Sequence, residues 1–139
     1  MSGGNDREKC FFMAVQMGEM KIGGRIAYRI AAGGAEALLT PYGAHVLSCR
    51  LADGRGGDVL WGLERRSGGS SETMLRGGIP VCWPWFGKAG TPIHGFARFS
   101  EWNMTEPEEE ADGSATVVFT LKSEEYGLSA TLSVNIGRA

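Results

Sequence analysis

Arg76, His94 and Arg98 are the residues of this sequence whose types and surroundings could do chemistry on a small molecule. They belong to a segment, residues 74–102, where Pro80, Trp83, Pro84, Trp85, Phe86, Gly87, Pro92 and Trp102 crowd rigid, aromatic and glycine positions without helical or strand period. A histidine can take or give a proton near neutral pH. An arginine fork presents several donors in one plane to a phosphate or sugar oxygen and keeps its charge. Proline-punctuated turns fix the directions of the three polar side chains, and a few polar groups converging on an apolar wall describe a small-molecule pocket. The wall offered by Trp83, Trp85 and Phe86 suits a sugar ring. Taken singly, Trp83, Trp85 and Trp102 read as aromatics that fill a core, and the two arginines as partners of surface carboxylates.

The elements that must position this segment read as strands. Leu128, Ala130, Leu132, Val134 and Ile136 alternate with Ser129, Thr131, Ser133 and Asn135, the pattern of a half-buried strand. Val117, Phe119 and Leu121 alternate in the same way just before it, and residues 123–127, with Gly127, suit the turn of an antiparallel hairpin. A second hairpin runs from Ile26, Tyr28 and Ile30 through Gly33-Gly34 to residues 36–39. Residues 44–51 read as a strand with His45, Leu47, Cys49 and Leu51 on one face, followed by an Asp53-Gly54 turn and a short strand at residues 58–61. On that face His45 reads as a satisfied core or edge histidine, outside the site. Residues 106–112, with Glu108-Glu109-Glu110, read as an exposed acidic loop. No stretch has the apolar spacing and caps of an amphipathic helix, so the expected fold class is an all-β antiparallel sandwich.

Composition narrows the partners. The 139 residues fit one domain, and 22 glycines beside only 5 prolines, without a period, fit many short turns better than a linker or a collagen. A net charge of -2 and the lack of a basic stripe argue against nucleic acid. No apolar run approaches the length that spans a bilayer, and residues 11–15 are too short and too poorly flanked for a signal peptide, so a cytoplasmic location and no membrane partner are expected. Cys10, Cys49 and Cys82 are widely spaced and odd in number, which reads as reduced structural thiols. The two histidines match no zinc spacing, so no metal is expected.

The run Arg76-Gly-Gly-Ile-Pro-Val-Cys-Trp-Pro-Trp-Phe-Gly87, followed by His94-Gly-Phe-Ala-Arg98 and Trp102, resembles the hexose-6-phosphate mutarotases of the aldose 1-epimerase family. Residues 43–48 and 58–61 look like the strands that precede this signature, so the resemblance extends from about residue 24 to the end and leaves residues 1–23 outside it. It implies a large antiparallel β-sandwich of the galactose mutarotase type, present here as an incomplete half. The sugar site would lie on a concave sheet face, with no metal or organic cofactor required.

By the same resemblance the chemistry is interconversion of the α and β anomers of a hexose 6-phosphate. A base removes the C1 hydroxyl proton, an acid protonates the ring oxygen, and the opened sugar recloses on the other face. His94 matches the first of two active-site histidines, and Arg76 and Arg98 match arginines of the pocket. The second histidine and the glutamate base of the family fall in the half that would follow, so the chain by itself is expected not to accelerate the exchange. Two other readings stay open: a phosphosugar-binding module without chemistry, and an epimerase of unphosphorylated aldoses. The strand from Leu128 to Ile136 would have an unpaired apolar edge, a template for self-association.

Overall fold

The computed structural model describes residues 15–51, 53, 55–60 and 77–137. Eight strands lie among them: β1 Gln16–Ile22, β2 Arg25–Ala32, β3 Ala35–Thr40, β4 His45–Leu51, β5 Asn103–Met104, β6 Glu108–Glu109, β7 Ala115–Ser123 and β8 Leu128–Ile136. Helix is confined, among the described residues, to two single 3-10 turns, Gly87–Ala89 and Ala97–Phe99. β1 to β4 form one antiparallel sheet in chain order. In the second sheet β7 pairs along its whole length with β8, and the short β5 and β6 pair with β7. The all-β antiparallel expectation describes this architecture.

The two sheets meet over one apolar core. Ile30 and Leu39 of the first sheet and Val117 and Phe119 of the second are fully buried. Each such side chain contributes roughly 1.5–3 kcal/mol by leaving water. The β2–β3 hairpin turns on Gly33-Gly34 and the β7–β8 hairpin on residues 124–127, where the alternating patterns place them. Asn135 Nδ2 donates to Ser114 Oγ and Thr116 Oγ1, and Asp112 accepts from the Ser114 amide, so polar groups at the start of β7 are satisfied.

Three points depart from the sequence patterns. β1 is a full strand paired to β2, yet all but Ile22 of its side chains are exposed, so an edge strand wet on both faces shows no apolar alternation. In β4 a bulge breaks the register: Leu39 faces Val46, whereas Leu38 faces Ser48. Val46 therefore packs on the main core and Leu47 joins Ala27 and Leu38 in a second cluster, so His45 and Leu47 do not share a face with Cys49 and Leu51. Asp58 makes only an isolated bridge to Arg50, and Trp61 lies outside the described residues. The acidic stretch is exposed as expected, with Glu108 and Glu109 pairing briefly to β7.

Candidate functional site

The signature segment is clamped to the first sheet and its β3–β4 turn at two places and to itself at a third. Near its start, Ile79 N–H donates to Val46 O at 2.8 Å, and the buried His45 donates from Nε2 to Gly77 O at 2.6 Å. Burial, the larger influence, lowers the pKa of His45 from its ordinary 6.5, against the raising effect of the Gly77 bond, so its ring is a neutral donor. At the far end, Trp102 N–H donates to Pro41 O at 2.9 Å and its indole N–H to Ala97 O at 3.0 Å. Gly43 N–H donates to Ser100 O at 2.8 Å. Gly43 has φ +78, and a Cβ there would stand 2.8 Å from Arg98 O, so only glycine lets the β3–β4 turn approach the Arg98 backbone so closely. The third clamp is internal: Trp83 and Gly95 form a parallel bridge, and Ala97 N–H donates to Trp83 O at 3.2 Å.

Residues 84–94 are thus an excursion that leaves at Trp83 and returns at Gly95. Its two prolines, Pro84 and Pro92, both follow cis peptide bonds. His94 closes it. The His94 amide donates to Gly87 O at 3.0 Å, and the Gly87 amide donates back to His94 Nδ1 at 2.9 Å. Because Nδ1 is an acceptor in that bond, the neutral ring carries its proton on Nε2, which is the nitrogen left for a ligand. His94 has φ +68, a left-handed conformation that histidine adopts more readily than most residues with a Cβ, and the paired bonds with Gly87 hold it there.

Arg98 reaches the same place from the following 3-10 turn. Its Nη2 donates to Ile93 O at 2.8 Å, the carbonyl immediately before His94, and its guanidinium carbon lies 4.6 Å from the centre of the Phe99 ring. Its Nε is buried and has no hydrogen-bond partner. A buried donor left in that state costs about 1–3 kcal/mol.

The three aromatics named from the sequence divide. Trp83 packs on the main core, edge-on to Phe96 at 5.6 Å. Trp85 donates its indole N–H to Pro92 O at 2.7 Å, covers Gly90 and stands edge-on to Phe96 at 5.9 Å. Phe86 alone is 73% exposed, and its ring lies 4.7 Å from the ring of His94. The structure therefore sets Phe86 beside the His94 ring, rests Arg98 on the carbonyl preceding His94, and uses Trp83 and Trp85 to hold the excursion's shape. Arg76 lies outside the described residues. Sequence reasoning missed Tyr126, which comes from the β7–β8 turn to stack on Phe96 at 4.9 Å and stands 5.9 Å from Trp85. It also missed Gly87 as the partner of His94; the signal there was a glycine after Trp85-Phe86, with φ +62. An open cleft of about 270 Å³, lined by Arg25, Tyr28, Thr40 and Glu101 among others, contains none of the signature residues. Among the described residues no group of acidic, cysteine or histidine side chains could hold a metal ion, and no helix is long and apolar enough to cross a membrane.

Residues 27–138 match the aldose 1-epimerase family, and the chain belongs to that family. It is 44% identical over 86 residues to an Escherichia coli protein named "Putative glucose-6-phosphate 1-epimerase", a match covering 60% of this chain and 28% of that one. Among solved structures it is similar to a mutarotase-named protein from Salmonella typhimurium, at TM-score 0.72 and 27% identity over 94% of this chain and 48% of the other. It also shares the fold of a galactose mutarotase-like protein from Clostridium acetobutylicum, at TM-score 0.58 and 19% identity, covering 90% and 46% of the two chains. The chain thus spans under half the length of these solved structures, and the antiparallel β-sandwich of the mutarotase type is present as a part.

Proposed function

We propose that this chain supplies the His94–Arg98 side of a site that interconverts the anomers of a hexose 6-phosphate. The observation that carries the reading is the pairing of His94 with Gly87, which fixes the ring as an Nε2–H donor next to Arg98, whose guanidinium rests on the carbonyl preceding His94. In ring opening the C1 hydroxyl loses a proton and the ring oxygen gains one. His94 Nε2–H is the group offered to the sugar oxygens at that end, and Arg98, with Arg76 beyond the described residues, takes the phosphate. Phe86 gives the sugar ring an exposed aromatic face beside the histidine.

The exchange needs a second proton-transfer group, and of the two histidines His45 is engaged with Gly77. The proposal is therefore that the 139-residue chain binds the phosphosugar and does not speed its exchange. The glucose-6-phosphate name of the Escherichia coli relative supports a phosphorylated substrate.

The test is proton NMR of glucose 6-phosphate and of free glucose with the purified chain. The expected result is broadened signals for the phosphosugar, weaker effects for glucose, and anomer exchange at the buffer rate. No perturbation of the phosphosugar would sink the binding site. Exchange well above the buffer rate would show that the chain holds both proton-transfer groups.

A further inference from the structure

Three rings close on one another beside the excursion. Tyr126 stacks on Phe96 with ring centres 4.9 Å apart and planes 13° from parallel, and both rings meet Trp85 edge-on at 5.9 Å. Trp85 lies inside the excursion and Phe96 just after it, whereas Tyr126 comes from the turn between β7 and β8 in the other sheet. That turn gives the tyrosine a fixed base. The Tyr126 amide donates to Ser123 Oγ at 3.4 Å, the Gly127 amide donates to Glu124 O at 3.3 Å, and Gly127 takes φ +61.

What the three rings hold is the backbone just before His94. Pro92 O accepts from the Trp85 indole at 2.7 Å and from the Gly95 amide at 3.1 Å. The next carbonyl, Ile93 O, accepts from Arg98 Nη2 at 2.8 Å. The indole also lies flat against the backbone at Gly90, where a Cβ would stand 2.6 Å from Trp85 Cε2. Two devices thus divide the work around His94: Gly87 sets the ring's tautomer, and the indole sets the carbonyls that lead into it.

We propose that Tyr126 is a positioning residue for phosphosugar recognition. Through Trp85 and Pro92 O it holds Ile93 O, and with it the guanidinium of Arg98, so a ring supplied by the second sheet governs how the arginine is presented. The proposal rests on the reading that Arg98 takes the phosphate. Stacked and edge-on rings hold one another in a definite geometry that an aliphatic side chain does not reproduce. The ring is the part required, and phenylalanine should serve in its place.

The test is NMR of the full 139-residue chain, isotope-labelled, with Tyr126→Phe, Tyr126→Leu and Tyr126→Ala. Without sugar, the Leu and Ala variants should exchange the Trp85 indole N–H and the Gly95 amide faster with solvent and shift the Arg98 Nε–H signal. The amides of β7 and β8 and the Nε2–H form of His94 should stay as in the wild type, and Tyr126→Phe should match the wild type throughout. In titration with glucose 6-phosphate the Leu and Ala variants should bind about tenfold more weakly, the size of a lost aromatic pair. Trp85 exchange or an Arg98 signal that does not respond to Tyr126→Ala would overturn the proposal. So would equal loss in Tyr126→Phe, or loss of β7–β8 protection in step with the indole, which would make Tyr126 a general stabiliser of the fold. A wild type that does not bind the phosphosugar would overturn the reading of Arg98 instead, and the sugar-free signals would still decide whether Tyr126 holds it.

Discussion

His94 and Gly87 hold each other twice, through the His94 amide on the Gly87 carbonyl at 3.0 Å and the Gly87 amide on His94 Nδ1 at 2.9 Å. The first bond belongs to the backbone and the second to the ring, so a substitution can separate fold from function. Asparagine tolerates the left-handed conformation and can present its amide oxygen where Nδ1 stood, but it has nothing at the Nε2 position. His94→Asn should change stability by less than about 0.5 kcal/mol in urea titration and abolish the perturbation of glucose 6-phosphate signals expected in the NMR test. His94→Val, which is β-branched at φ +68, should cost about 1–3 kcal/mol. Equal stability loss in both variants would show that the ring bond matters little.

Arg98→Ala should weaken glucose 6-phosphate by about 1.5–3 kcal/mol, the size of a charge-assisted contact, and free glucose by much less. Calorimetric or NMR titration of the two sugars measures the difference. Arg98→Lys keeps the charge and loses the fork, and should recover only part of the affinity. The same loss for both sugars would reassign Arg98 to ring hydroxyls or to holding Ile93 O.

Gly43 and Gly24 have nearly the same φ, +78 and +77, but very different surroundings: a Cβ at Gly24 meets nothing within 4 Å, and one at Gly43 meets the Arg98 carbonyl at 2.8 Å. Gly24→Ala should cost about 1 kcal/mol, the left-handed penalty alone. Gly43→Ala should cost more and should also weaken glucose 6-phosphate, because the backbone carrying Arg98 must shift. Denaturant midpoints and the sugar titration test this together; equal costs would show that the turn yields without moving Arg98.

His45 links stability to pH with a definite sign. Its folded pKa lies below the unfolded value because burial penalises the charged ring, so on acidification the unfolded chain takes up the proton first. The contribution is intact above the ordinary value of 6.5 and is lost as pH falls from there through the folded pKa. His45→Gln keeps an N–H donor for Gly77 O and removes the titration. Melting temperatures measured from pH 7.5 to 5.5, a window chosen to span about one unit on either side of 6.5, should fall more steeply for the wild type than for this variant. Parallel curves would refute the assignment.

What was legible in the sequence follows from how each element is buried. β7 and β8 turn one face to the core, and their alternation located them. β2 and β3 bury residues on both faces, Ile30 and Leu39 in the main core and Ala27 and Leu38 in the second cluster, and were marked mainly by the Gly33-Gly34 turn between them. β1 was illegible because nothing on it is buried, and the shift of Leu47 to the second cluster was illegible because a bulge leaves no mark in a run of apolar residues. In the candidate site, the motif singled out His94 and Arg98, but composition could not sort the aromatics. That depended on which ring packs on Phe96 and which indole meets Pro92 O, leaving Phe86 as the exposed one. Tyr126 joins by a long-range contact from a hairpin turn, where a tyrosine gives no local signal.

The bridge between Trp83 and Gly95 has a consequence for heredity as well as shape. The groups that set the tautomer and orientation of His94 all lie within the excursion it closes, so they are encoded in one short stretch of gene. Strands elsewhere can drift in sequence without turning the imidazole, provided that they keep a floor under Trp83 and Phe96. A graft of residues 83–95 onto another sheet with the same spacing between its two anchor points would carry the oriented histidine with it.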